Sequence, residues 1–219
     1  PAMGRAEIFN MKWRMQNDPL YGVYLESIRG EIAAAAEGGT SAFGATLLEP
    51  VMQASSGMLL IDPLYQRAMV EASREAEIPV IYDEVFTGFW RLGVESAADL
   101  LGAAPDIAVY AKLMTGATAP LAVTLASESV FQAFSGATKM EALLHGHSYT
   151  GHPLGCMLAL EMLRRMEEAG VDVVGGEKWS EGVVEELSGM EGVVGVVPVG
   201  TVLAVELKEE GGGDNYMGT

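Results

Sequence analysis

Two short apolar runs, each stopping at one ionisable residue, constrain this chain more than any other feature. Val80-Ile81-Tyr82 runs into Asp83-Glu84-Val85-Phe86-Thr87-Gly88-Phe89-Trp90-Arg91. Ile107-Ala108-Val109-Tyr110-Ala111 runs into Lys112-Leu113-Met114-Thr115-Gly116. Runs this short and this rich in Val and Ile read as strands buried on both faces of a parallel sheet. In open α/β sheets, ligands bind just beyond the carboxyl ends of the strands. The pattern therefore predicts that Asp83 and Lys112 project into one crevice.

The rest of the chain alternates helix and strand signals around these runs. Asp18-Pro19 and Asp62-Pro63 each combine a capping carboxylate with a proline at the first helical position. They predict helices over Leu20 to Ala36, stopped at Gly38-Gly39, and over Leu64 to Ala76. Ala45 to Leu48 and Leu121 to Ala126 read as strands, and Gln53 to Gly57 as a loop. Ser96 caps a short helix through Leu101, and Ser129 to Phe134 reads as another. Pro153 opens a long helix ended by Gly170, with Leu154, Met157, Leu158, Met162 and Met166 on its apolar face. Glu177 to Met190 reads as helix; Val193–Val197 and Thr201–Glu206 read as β segments before Gly211-Gly212-Gly213. The alternation predicts an α/β fold with a mostly parallel sheet flanked by helices. A composition change over Gly170 to Gly176 divides the chain. Residues 1–170 read as part of a large domain, and residues 171–219 as the start of a small α+β domain.

Bulk properties exclude several functions. The formal charge of −17 argues against nucleic-acid or anionic-membrane surfaces, since phosphate binding needs clustered Lys and Arg. No run approaches the length of a membrane span. Cys156 is the one cysteine, so no intrachain disulfide forms, and a reducing compartment is expected. No signal peptide is visible at Pro1, though a chain beginning without Met leaves an upstream targeting segment open. His145 and His147 form a His-x-His pair, but no cysteine or carboxylate cluster accompanies it. His152-Pro153 reads as a helix start, so no metal is expected.

The chemistry of Asp83 and Lys112 narrows the field further. A strand-end Asp is often only a helix cap, and a lone Lys is often only solvated. Held in one crevice, however, the pair suits pyridoxal phosphate. The amine can form a Schiff base, and the carboxylate can keep the pyridine nitrogen protonated.

The wording around both residues sharpens this. Asp83-Glu84-Val85, then Thr87-Gly88 and Arg91, then Lys112 and Thr115-Gly116, resembles the class III pyridoxal-phosphate-dependent aminotransferases. Their fold is of the aspartate aminotransferase type, fold type I. The resemblance covers about Asp18 to Glu206. It implies that Asp83 pairs with the pyridine nitrogen, Val85 packs on the ring, and Lys112 forms the Schiff base and shuttles the proton. It implies that Glu49, in the turn Leu48-Glu49-Pro50, supports the cofactor pocket. The loop from His145 to Pro153 matches a segment that reaches across a homodimer interface. There Ser148, where the family usually has threonine, contacts the cofactor phosphate of the other subunit. His147 is a backbone neighbour of that phosphate, and Gly146 a backbone contact to substrate.

Within the family the wording is closest to the 7,8-diaminopelargonate branch of biotin synthesis, in the version plants and fungi fuse to dethiobiotin synthetase. Asp83–Gly93, with Trp90 in place of the usual glycine, Pro120–Ala126 and His145–Thr150 carry this. The donor is then S-adenosylmethionine, the acceptor 8-amino-7-oxononanoate, and the compartment mitochondrial or cytoplasmic. Another class III aminotransferase acting on an ω-amino acid or ornithine stays open, as does an inactive fragment. Ala117 stands where the family commonly has a second glycine, which predicts a slightly different backbone there. The family's phosphate loop and its substrate-carboxylate arginine are not found, so a fragment lacking both ends is expected.

Overall fold

A computed structural model describes residues 5–37, 43–170 and 175–208. The stretch before Asp18, hard to place by pattern, forms α1 (Arg5–Ile8) and α2 (Met11–Asn17). Its importance lies in Arg14, which is 2% exposed. The guanidinium donates to Asp18 at 2.9 Å and to Asp62 at 2.6 Å. Those are the two carboxylates the Asp-Pro signals marked as caps. Asp18 accepts the Leu20 amide at 3.0 Å to open α3 (Leu20–Glu37), and Asp62 accepts the Leu64 amide at 3.0 Å to open α4 (Pro63–Glu75). One buried arginine thus fastens three helix ends together. The predicted stop at Gly38-Gly39 lies outside the described residues.

The main sheet contains β1 (Thr46–Leu48), β4 (Val80–Asp83), β5 (Ile107–Tyr110) and β6 (Val123–Ala126), in the order β1-β4-β5-β6. β1, β4 and β5 are parallel, with Leu48 opposite Tyr82 and Asp83 opposite Val109. β6 runs antiparallel to β5, with Val123 opposite Tyr110. The chain from Lys112 to Ala122 holds no crossover helix, only a tight reversal, and such a link returns the next strand antiparallel. Between β1 and β4, β2 (Met52–Gln53) and β3 (Leu59–Leu60) make a separate antiparallel hairpin. Strands of two residues are too short to show a period, which is why this hairpin reads as a loop in the sequence.

The core gathers Leu48, Val51, Met52, Val70, Val80, Tyr82, Leu92 and Leu101. α4 covers it with Leu64, Ala68 and Val70, all fully buried. Tyr82 is fully buried and donates its hydroxyl to the Ala103 carbonyl at 3.0 Å. The other side of the sheet is thinly covered: Leu125 on β6 is 55% exposed. α6 (Glu128–Gln132) follows it, and then α7 (Pro153–Ala169). The expected apolar face of α7 is only partly covered, with Leu154 and Met157 exposed. Instead the helix buries its two smallest neighbouring positions, Gly155 and Ala159. The capping ring leaves no room for a side chain at the first of these: a Cβ at Gly155 would stand 2.5 Å from the His152 ring. No helix among the described residues is long and apolar enough to cross a membrane.

Glu84, one residue past β4, is 1% exposed. A carboxylate so deep is tolerable only when its lone pairs are met. Its two oxygens accept from the Ser96 hydroxyl at 2.5 Å, the Ala97 amide at 2.7 Å and the Tyr110 hydroxyl at 3.0 Å. Ser96 in turn accepts the Ala98 amide at 3.1 Å and starts α5 (Ala98–Leu101). The end of β4, the end of β5 and α5 are tied to one carboxylate.

The C-terminal part contains α8 (Glu181–Ser188), capped by Ser180, and an antiparallel hairpin of β7 (Val193–Val199) and β8 (Val202–Leu207). The predicted division over Gly170 to Gly176 includes residues 171–174, which lie outside the described residues, as does Gly211-Gly212-Gly213. The hairpin turn meets the loop after β4 backbone to backbone. The Thr201 amide donates to the Arg91 carbonyl at 2.9 Å and the Gly176 amide to the Gly93 carbonyl at 2.8 Å. A Cβ on Gly200 would stand 2.2 Å from the Gly93 nitrogen, so side chains are excluded from this junction.

Two measurements check the polar anchors. Burial raises the Asp62 carboxyl pKa, but the Arg14 guanidinium and the Leu64 amide outweigh it and hold it below the ordinary carboxylate value. A depressed folded pKa contributes stability above the ordinary carboxylate range, lost as pH falls through the folded value. Acid titration of the urea midpoint should therefore be steeper in the wild type than in Asp62→Asn. Asp62→Ala should cost about 2 kcal/mol, as lost cap and half-unpaired arginine. Glu84→Ala leaves the buried Ala97 amide and the half-buried Ser96 and Tyr110 hydroxyls without their acceptor and should cost about 2–4 kcal/mol in denaturant unfolding.

Candidate active site

Lys112 leaves the sheet in a strained turn. Ala111 is extended, and Lys112 then takes φ +48 as the first residue of a short 3-10 turn, Lys112–Thr115. Gly116 and Ala117 follow at φ +58 and φ +59. The alanine in place of glycine therefore keeps the left-handed conformation, at roughly 1 kcal/mol of strain. The turn is locked by the Ala117 amide donating to the Lys112 carbonyl at 3.2 Å, and by the Thr115 hydroxyl donating to the Ala119 carbonyl at 2.6 Å. Met162 of α7 caps it from outside; a Cβ at Gly116 would stand 2.2 Å from its methyl carbon.

The exposed Lys112 side chain borders a cavity of about 880 Å³ whose walls include Val85, Thr115, Leu121, His147, Tyr149 and His152. Among the described residues no carboxylate pairs with its amine. The amine lies instead 5.5 Å from the centroid of the Phe86 ring.

Asp83 ends β4, as expected, but the structure does not bring it into the same hollow. Its carboxylate accepts the Val85 amide at 3.0 Å. It lines a separate hollow with Glu49, Gln53 and Gln66. Val85, two residues on, lines the Lys112 cavity. The hydrogen bond between those two residues links the wall of one hollow to the wall of the other.

Glu49 follows β1 and holds the loop beyond it. Its carboxylate accepts the Ala54 amide at 3.0 Å and the Ser55 hydroxyl at 3.2 Å. The buried Gln66 clamps the same turn, donating to the Glu49 carbonyl at 2.8 Å and accepting the Val51 amide at 2.6 Å. That clamp holds Val51 at φ +69, a conformation β-branched residues rarely take.

In the loop before α7, His147 faces the Lys112 cavity of its own chain. Its Nδ1 accepts the Tyr149 amide at 3.1 Å. Gly146 and Ser148 are exposed and do not line that cavity. His152 accepts the Gly155 amide on Nδ1 at 3.2 Å and sets Nε2 3.3 Å from the Pro120 carbonyl. Both ring nitrogens are thereby used, and the tautomer assigned by this network carries its proton on Nε2. Among the described residues no group of three His, Cys, Asp or Glu is placed to hold a metal ion.

Sequence reasoning passed over Phe86 and Arg91 as anything more than motif letters. The Arg91 guanidinium lies 5.2 Å from the Phe86 centroid. It is half-buried, burial lowers its pKa, and its Nε has no hydrogen-bond partner among the described residues. Nothing in the local pattern signals that this ring meets Lys112. Chemically, a primary amine facing a cavity with mostly apolar walls and no carboxylate partner is equipped to condense with an aldehyde.

Comparison with known proteins bears on this arrangement. The family model for aminotransferase class III matches residues 8–215. The mitochondrial bifunctional dethiobiotin synthetase/7,8-diamino-pelargonic acid aminotransferase of Oryza sativa subsp. japonica is 47% identical over 202 residues, covering 89% of this chain and 25% of that protein. Its Arabidopsis thaliana counterpart is 47% identical over 180 residues, covering 79% of this chain and 22% of that protein. The chain thus spans about a quarter of the length of these relatives. Among solved structures, the adenosylmethionine-8-amino-7-oxononanoate aminotransferase of Methanocaldococcus jannaschii superposes with a TM-score of 0.70 at 28% identity, covering 84% of this chain and 42% of that one. A Bacillus anthracis aminotransferase, with a TM-score of 0.71 at 23% identity over 89% of this chain and 43% of that one, shares the fold. A parallel-strand pair ending in Asp83 and the Lys112 turn, together with a family match running through nearly all of the sequence, makes this chain a member of the class III aminotransferases, with their α/β fold of type I.

Proposed function

We propose that this chain carries the reactive lysine of a pyridoxal-phosphate-dependent transaminase of biotin synthesis. The reaction moves an amino group from S-adenosylmethionine to 8-amino-7-oxononanoate and gives 7,8-diaminononanoate. The observation that carries the chemistry is the Lys112 amine on the wall of a large cavity, without a carboxylate partner among the described residues. The choice of substrates rests on relatives at 47% identity whose names state this aminotransferase.

The residues present fit the cofactor. Lys112 would hold it covalently. Asp83, at the end of β4 and joined by its carboxylate to the Val85 amide, would hold the pyridine nitrogen from the adjoining hollow, and Val85, which lines the Lys112 cavity, would pack on the ring. When bound, the cofactor draws electrons from the carbon that bears the amino group. Lys112 takes and returns the proton at that carbon. Apolar walls such as Leu121 and Ala122 suit a long keto acid and exclude water from it. Glu49 supports the pocket by fixing the loop after β1.

The same reading makes the enzyme a homodimer with its site at the subunit interface. Exposed Ser148 and Gly146 would serve the partner subunit's cofactor phosphate and substrate, with His147 beside that phosphate. Residues 1–170 would form part of the large domain, and 171–219 the start of the small one. Fusion to dethiobiotin synthetase and a mitochondrial location follow the plant relatives' names.

Borohydride reduction in the presence of pyridoxal phosphate, with peptide mapping, tests the lysine. Label should appear on Lys112 and vanish in Lys112→Ala; label on another lysine with none on Lys112 overturns the assignment. An amino-donor panel on the full-length protein should show transfer from S-adenosylmethionine and none from ornithine or an ω-amino acid.

A further inference from the structure

The side chain of lysine has four rotatable bonds, and an unpaired amine on it samples many rotamers. At Lys112 the left-handed backbone fixes only the near end, the direction in which the side chain departs. Among the described residues the far end meets the Phe86 ring, at 5.5 Å from amine to centroid. The negative face of an aromatic ring attracts a cation at this range. Phe86 is itself restrained: it packs against the hydrophobic core, and the Arg91 guanidinium lies 5.2 Å from the same centroid. Arg91 is anchored by its carbonyl, which accepts from the Thr201 amide at 2.9 Å and from the Thr201 hydroxyl at 3.0 Å. A continuous line of contacts therefore runs from the turn between β7 and β8, through Arg91 and Phe86, to the amine.

We propose that Phe86 is a positioning residue for Lys112, holding the amine at the cavity wall through the face of its ring. The proposal rests on the reading of Lys112 as the imine-forming lysine. A leucine at 86 would fill much of the same volume and offer no π-face. A tyrosine would keep the face. The two substitutions separate packing from positioning.

The test uses the whole chain in two measurements. In the first, the unloaded chain is reductively methylated with ¹³C-formaldehyde, and the Lys112 signal is identified by its loss in Lys112→Arg. Its methyl resonance should lie upfield of the other lysines through the ring current of Phe86. Phe86→Leu should return it to their position, and Phe86→Tyr should retain the offset. In the second, borohydride trapping with pyridoxal phosphate is quantified at Lys112 across a pH series. Trapping should rise about threefold in Phe86→Leu, the size of a modest cation–π contact, because the ring holds the ammonium and only the free amine attacks, and should return to the wild-type level in Phe86→Tyr. A Lys112 signal unmoved by Phe86→Leu overturns the proposal, as does equal trapping in all three chains. Absence of label on Lys112 in every chain, with the ring-current offset present, overturns the reading of the lysine instead and leaves the contact standing.

Discussion

The carboxylate of Glu84 is the constraint on which the site depends. Buried to 1% exposure, it must collect donors, and it does so from two parts of the chain: Ser96 with the Ala97 amide, and Tyr110. Those donors pin the end of β4 to the end of β5 and to the start of α5. Its two chain neighbours then have fixed positions. Asp83 stays at the strand end, and Val85 turns toward the lysine, with a hydrogen bond between them.

Around this anchor the backbone is held in unusual conformations. Val51, Phe89, Trp90, Lys112 and Ala117 all have positive φ, and none is glycine. Each is restrained by neighbours: Val51 by Gln66, Phe89 and Trp90 by backbone bonds to Glu95 and Val94, Ala117 by the Lys112 carbonyl. Strain of this kind gathers at sites where geometry matters more than stability. It also explains two departures in the wording of the chain. Trp90 and Ala117 stand where the family commonly has glycine, and both keep the left-handed conformation that glycine favours.

The C-terminal hairpin belongs to the same arrangement. Gly93, Gly176 and Gly200 allow its turn to lie directly on the loop after β4. The contact passes from Thr201 to Arg91, and from Arg91 to the ring that faces Lys112. A segment remote from the lysine in sequence is thereby in mechanical contact with its surroundings.

Local chemistry was legible in the sequence alone. Asp-Pro caps located α3 and α4, short Val/Ile runs located β4 and β5, and His152-Pro153 located α7, because caps and periodicity act within a few residues. The motif letters singled out Asp83, Val85 and Lys112 and the family they belong to. What only the tertiary structure decided are relations between distant residues. Arg14 joins the two caps, Glu84 gathers three donors, β6 turns antiparallel, and Asp83 and Lys112 border different hollows. The Phe86–Lys112 contact is of this kind too. Such relations arise from packing many segments at once, and a buried charge or an aromatic face finds its partner in space, not along the chain.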